Sequence, residues 1–279
     1  MPSAQAYTTR AELFEESNQV DSALADYNAA IQLDPKSALL YIQLADFYRN
    51  LARAEDALKA YNRAIELDPA YTYAYTSRAA FHESLKDYSS SRADFEKAIE
   101  LDPSDAYAQN GLGRLLFTLG EIEKAIEHYT LAIQNDPKYH YAYSARGKAF
   151  QSQGKHTEAI DDFNQAINLK PKADLVLLWR AESLMEDGEH NAAFNDILNA
   201  MTISKLGPKP TLARNVLSTM TPQELVLAVD RITAIIETMP NNPGLFYVRA
   251  IAHELDGQPI KSKDDFNRFR SLIDADKNL

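Results

Sequence analysis

The sequence predicts an all-α protein built from stacked helical hairpins. Three observations carry this. Proline recurs at Pro35, Pro69, Pro103, Pro137 and Pro171, each 34 residues after the last. Between those prolines, the same residue types return at the same offsets. The returning apolar positions fall at helical spacing rather than in strand-like alternation. A unit of this length cannot bury a core alone, so each must cover its neighbour in a stack.

Ending each unit two residues after its proline gives units 4–37, 38–71, 72–105, 106–139 and 140–173. Numbered from the start of a unit, position 4 holds Tyr7, Tyr41, Tyr75, Gln109 and Tyr143. Position 8 holds Ala11, Ala45, Ala79, Gly113 and Gly147, and position 11 holds Phe14, Tyr48, His82, Leu116 and Phe150. Positions 4, 7, 8 and 11 share one helical face and define a first helix, A. Asn18, Gly120 and Gly154 at position 15 suit the left-handed residue that ends it. A second helix, B, follows from position 20 (Ala23, Ala57, Ser91, Ala125, Ala159), position 24 (Tyr27, Tyr61, Phe95, Tyr129, Phe163) and position 27, which is alanine throughout. Small residues let helices approach, and large ones fill the gaps between them. The proline at position 32 cannot continue helix B and opens the next unit.

A sixth unit, 174–208, keeps the pattern and ends in Gly207-Pro208-Lys209-Pro210, a stiff break. Residues 209–276 hold two divergent units, 209–242 and 243–276, the last closing on a C-terminal helix. Thr221-Pro222-Gln223-Glu224 is a capping box with proline in the first turn of a helix. The register has an internal check. Position 7 is arginine in five units (Arg10, Arg78, Arg146, Arg180, Arg249), and position 23 of those same units is aspartate (Asp26, Asp94, Asp162, Asp196, Asp265). The remaining units lack both, so A and B helices are expected to meet through an arginine–carboxylate pair.

This pattern, large at 4, small at 8, aromatic at 11, alanine at 20 and 27, aromatic at 24 and proline at 32, resembles the tetratricopeptide repeat of bacterial-style repeat arrays. The resemblance implies a right-handed superhelical solenoid of about eight helix-turn-helix units. It also implies a non-catalytic scaffold whose concave groove, lined by the face of helix A opposite the core, takes a peptide or partner protein.

Composition narrows the function further. The net charge of -11 disfavours nucleic acid and anionic membrane surfaces, which need a basic face. There is no cysteine, hence no disulfide frame or thiolate metal site. No apolar run is long enough to span a bilayer, so membrane insertion is not expected. Met1-Pro2-Ser3-Ala4 leads directly into helical sequence, which points to a cytoplasmic protein; an exported chain with its leader removed would read the same. The six histidines form no i,i+4 pair, and no phosphate loop or GxSxG elbow occurs. Catalytic residues, metal and cofactor are all expected to be absent.

Positions 2, 5, 9, 12 and 13 point away from the core face of helix A. Position 2 carries Tyr73, Tyr107 and Tyr141 in successive units, flanked by Leu39 and Leu175. With Asn110 and Ser144 at position 5, Arg114 and Lys148 at position 9 and Phe117 at position 12, these are the candidate binding residues. A tyrosine joins apolar area to a polar tip, which suits peptide recognition; the alternative is that the rings only pack against the preceding unit. Glu12, Glu15, Glu16, Asp46, Glu83, Glu182, Glu186 and Glu254 make the rest of the face acidic. The expected ligand is therefore neutral to basic, with apolar or aromatic anchors. The carboxylate clamp of chaperone-adaptor members is not matched: the best-placed sets read Thr8, Glu12, Gln43, Tyr73, Ser77 or Asn110, Arg114, Ala145, Leu175, Trp179. In the last unit, Phe269 stands where the first six units have alanine. With Phe266 it suggests either local repacking or a homodimer surface, the basis of an alternative reading as a self-assembling structural protein.

Overall fold

The computed structural model describes residues 3–203 and 210–276, and among these it is entirely helical. Of the break expected at Gly207-Pro208-Lys209-Pro210, residues 207–209 lie outside the described residues and Pro210 opens a helix. The chain forms two compact units, Met1–Pro137 and Lys138–Leu279.

The first unit contains α1 (Ala4–Glu16), α2 (Val20–Leu33), α3 (Ala38–Asn50), α4 (Ala54–Leu67), α5 (Thr72–Ser84), α6 (Tyr88–Leu101), α7 (Ala106–Thr118) and α8 (Ile122–Asn135). Consecutive odd and even helices pack as four hairpins, and α2, α4 and α6 then pack on α3, α5 and α7. α3, α5 and α7 also meet along one side. The alanines at positions 20 and 27 are fully buried, and the position-24 rings Tyr27, Tyr61, Phe95 and Tyr129 are buried among them. The approach is close enough that glycine is required in places. A Cβ on Gly113 would lie 2.8 Å from the Tyr129 ring, and one on Gly111 only 2.3 Å from Phe95 of the preceding hairpin.

Each A helix of this unit ends in the same way. The amide of position 16 donates to the carbonyl of position 11, as in Gln19 to Phe14 (2.8 Å) and Glu121 to Leu116 (2.9 Å), with a left-handed residue between. Asn18 and Gly120 fill that place as expected, but so do Ala52 (φ 57°) and Lys86 (φ 61°), which have no sequence signal for it.

The second unit contains α9 (His140–Ser152), α10 (His156–Leu169), α11 (Asp174–Glu186), α12 (His190–Ile203), α13 (Pro210–Ser218), α14 (Pro222–Thr238), α15 (Pro243–Leu255) and α16 (Pro259–Asp276). α9–α10, α11–α12 and α15–α16 are hairpins of the same kind. Residues 210–238 depart from that plan. α13 has only 9 residues and packs on α12 and α15 instead of forming a close hairpin with α14, which packs on α15. The physical reason is visible in its side chains: Leu212, Ala213, Val216 and Leu217 are all buried in one apolar cluster with Ile197, Leu245 and Val248. α14 starts with the expected capping box, Thr221 accepting from the Glu224 amide while Glu224 accepts from the Thr221 amide at 2.8 Å.

All five arginine–aspartate pairs form, each with two hydrogen bonds of 2.6–2.8 Å from Nε and a terminal nitrogen. Arginines of the pairs also reach the preceding B helix, as in Arg78 to Asn62 (2.5 Å), Arg180 to Asn164 (2.6 Å) and Arg249 to Thr233 (3.1 Å). The pair therefore ties helix A to two B helices at once. Where arginine is replaced by Leu112, the position-23 His128 bonds Gln109 instead (2.8 Å).

Candidate peptide-binding face

Helix geometry alone separates two sets of aromatic rings on the A helices. In α5, Tyr75 is buried and donates to the Pro69 carbonyl (3.2 Å), while Tyr73, two residues earlier, is 44% exposed. In α7, Tyr107 is 49% exposed, and Leu39 of α3 is likewise exposed. The first unit thus carries Leu39, Tyr73 and Tyr107 on three A helices that touch along one side.

Around these rings lie charges that are already committed. Core Tyr27 donates its hydroxyl to Glu15, and core Tyr61 donates to Asp46 at 2.5 Å; Asp46 also pairs with Arg49 at 2.9 Å. Glu83 and Arg114 form a pair with two contacts of 3.0 and 2.9 Å. Burial raises the Glu83 carboxyl, and Arg114 opposes that shift. Three acids that the sequence offers to a ligand therefore serve as fixed acceptors within the protein. Arg114 is held in place by Glu83, and Phe117 is half-buried. The Asn110 side-chain oxygen is shielded from solvent and accepts no hydrogen bond among the described residues. The Tyr107 hydroxyl is raised by desolvation, with Tyr73 and Asp46 adding to the rise and Arg114 and Arg49 opposing it.

In the second unit Tyr141 is 54% exposed and lies against His140, 4.0 Å between ring centroids, and Tyr139 at 5.7 Å. Lys170 stands 5.4 Å over the Tyr141 ring. Ser144 is buried and donates to the Tyr141 carbonyl of its own helix (2.9 Å). Lys148 donates to Gln151 (2.6 Å) and lies 5.4 Å over the Trp179 ring. Between α9 and α11 is a cavity of about 190 Å³ lined by His140, Tyr141, Lys170, Leu175 and Trp179, among others. The sequence singles out Tyr141 and Ser144 here but not Trp179, Lys170 or Lys172. The available signal was Trp179 itself, a tryptophan at position 6, where the regular units carry Thr9, Gln43, Ser77, Gly111 and Ala145.

At the end of the second unit, Phe266 and Phe269 are half-buried and pack on Tyr247 of α15, with centroids at 5.7 and 5.2 Å. His253, at a core position, is buried nearby. Among the described residues no group of three or more His, Asp or Glu side chains is placed to hold a metal ion, and no helix is long and apolar enough to cross a membrane.

Repeated helical hairpins define a helical-repeat protein. Tetratricopeptide-repeat family profiles match residues 4–37, 38–71, 82–140 and 140–173. Together they span more than half of the chain, which belongs to the tetratricopeptide-repeat family. No curated protein sequence matches. Among solved structures, the chain is similar to one in the anaphase-promoting-complex hetero-tetramer Cut9–Hcn1 (TM-score 0.62, 18% identity, 73% of this chain and 41% of that one). It is also similar to PilF of Pseudomonas aeruginosa (TM-score 0.62, 14% identity, 73% and 93%) and to YrrB, a protein of this class described as having an unusual peptide-binding site (TM-score 0.50, 21% identity, 67% and 94%). At these identities the likeness is one of fold.

Proposed function

We propose that this protein is a non-catalytic scaffold that holds a peptide or a partner protein on the exposed face of its A helices. The observation that carries this reading is the row at position 2. Leu39, Tyr73, Tyr107, Tyr141 and Leu175 are all at least 44% exposed, whereas the position-24 rings Tyr27, Tyr61, Phe95, Tyr129 and Phe163 are all buried. Large side chains placed repeatedly on the solvent side of otherwise well-packed helices are costly to leave uncovered and are suited to act as binding anchors. Asp46, Arg49, Glu83 and Arg114 are held by bonds within the protein, so there a ligand meets a preformed surface and little ordering cost is left. Asn110, Arg114 and Phe117 in the first unit, and Ser144 and Lys148 in the second, adjoin these rings in sequence register and belong to the proposed binding face of their own unit. The self-assembling alternative is less well supported, because Phe266 and Phe269 already pack on Tyr247.

The test is affinity capture from source-cell lysate with wild type and a Tyr73→Ala/Tyr107→Ala variant of unchanged helicity and melting temperature. A partner held by wild type and lost by the variant is the expected result. Equal retention by both would move the site off this face and return the two tyrosines to a packing role.

A further inference from the structure

The cavity between α9 and α11 has a chemistry of its own. One wall is Trp179, which leans on the buried Phe163 ring (6.3 Å between centroids) and on Lys148. Its main-chain carbonyl is bonded by Gln151, which also bonds Ser183, each at 2.9 Å, so the wall is fixed from behind. Tyr141 also lines the cavity, and Leu175 and Val176 add apolar surface to it. At about 190 Å³ the space falls below the roughly 300 Å³ at which small-molecule sites begin, and it suits one side chain.

The rim is cationic. Lys170 and Lys172 both line the cavity, and neither has an ion pair among the described residues. Asp174 also lines it, in the first turn of α11, where a carboxylate suits the helix N-terminus. Burial and Lys170 both lower the affinity of His140 for a proton. In a chain of net charge -11, two lysines without an ion-pair partner beside an aromatic slot are a local reversal of sign.

We propose that this cavity is a specificity pocket for a peptide segment in which a large apolar side chain, seated between Tyr141 and Trp179, is followed within two residues by a carboxylate held by Lys170 and Lys172. The inference rests on the A-helix face being the binding surface, and it makes the ligand acidic at this point, in contrast to the neutral-to-basic ligand expected from the face as a whole. Charge complementarity sets the register of the peptide, and the aromatic slot supplies the anchor.

Trp179 is the sole tryptophan of the chain, so its emission reads the cavity directly. The probes are three acetylated and amidated hexapeptides, Ser-Gly-Phe-Glu-Glu-Ser, its Phe-Lys-Lys counterpart and its Ala-Glu-Glu counterpart, titrated into the full chain. A saturable emission change with the Phe-Glu-Glu peptide is expected, with at least about tenfold weaker binding of the other two. Lys170→Glu/Lys172→Glu should abolish the preference for Glu over Lys while circular dichroism and melting stay unchanged. No saturable change up to millimolar peptide, equal binding of the Phe-Lys-Lys peptide, or an unaltered preference in the variant would overturn the proposal. The broader reading fails separately, through Tyr73 and Tyr107 in the other compact unit.

Discussion

At the scale of the residue, the turn after each A helix shows how a repeat tolerates a poor local choice. Seven units place position 15 in the left-handed region, and four of them use glycine, with Gly120, Gly154, Gly188 and Gly257 at φ 69–82°. Asn18 is the next best choice, but Ala52 and Lys86 take the same conformation with a Cβ that disfavours it by about 1 kcal/mol. They are held there because the position-16 amides of Arg53 and Asp87 still close onto Tyr48 and His82 at 2.9 Å. Ala52→Gly and Lys86→Gly should each raise stability by about 1 kcal/mol, less the entropy that glycine adds to the unfolded chain. Chemical denaturation of both variants measures this. A loss of stability in both would show that these two turns carry no strain.

At the scale of the element, the arginine–aspartate pair is a clasp between helices, and its strength depends on what surrounds it. Arg10 in the first hairpin is 55% exposed at its side chain, and its hydrogen bonds hold the Asp26 carboxyl below the usual range. The same pair at Arg146 and Asp162 is more enclosed. There desolvation outweighs the hydrogen bonds, and the aspartate is raised. Removing the arginine from an enclosed pair strands a buried carboxylate, so Arg146→Ala should cost roughly 1–3 kcal/mol. Arg10→Ala, whose aspartate regains water more easily, should cost less. Thermal melts of the two variants compare them; an unchanged Arg146→Ala curve would show that the clasp contributes nothing to stability.

At the scale of the whole molecule, stability against pH is a sum over such sites. The buried hydroxyls of Tyr27, Tyr61 and Tyr129 are all raised, chiefly by desolvation, and Glu15 and Asp46 add to the first two. A raised acid keeps its proton in the folded state while the unfolded chain ionises near pH 10, so the unfolded state binds fewer protons and stability falls as pH rises. Below about pH 10 this contribution is constant. Above it, each of the three should remove about 1.4 kcal/mol per pH unit. Tyrosinate absorbance during an alkaline titration should show these three hydroxyls ionising together with loss of helical circular dichroism. Their ionisation with helicity intact would show that the three hydroxyls are not buried in the folded protein.

The sequence by itself determined the unit, the helix pair, the small and large core positions and the arginine–aspartate clasp, because each depends on residue type at a fixed spacing and returns with every repeat. Tyr73, Tyr107 and Tyr141 were legible as off-core for the same reason. Only the tertiary structure decided what happens where residues meet without a repeated spacing. It showed that Glu15, Asp46 and Glu83 are taken by Tyr27, Tyr61 and Arg114, and that α13 packs away from α14. It also showed that Trp179, Lys170 and Lys172 close a cavity on Tyr141. A period records which contacts recur, whereas a pocket is made by the departures from it, and those acquire meaning only once neighbouring helices are set side by side.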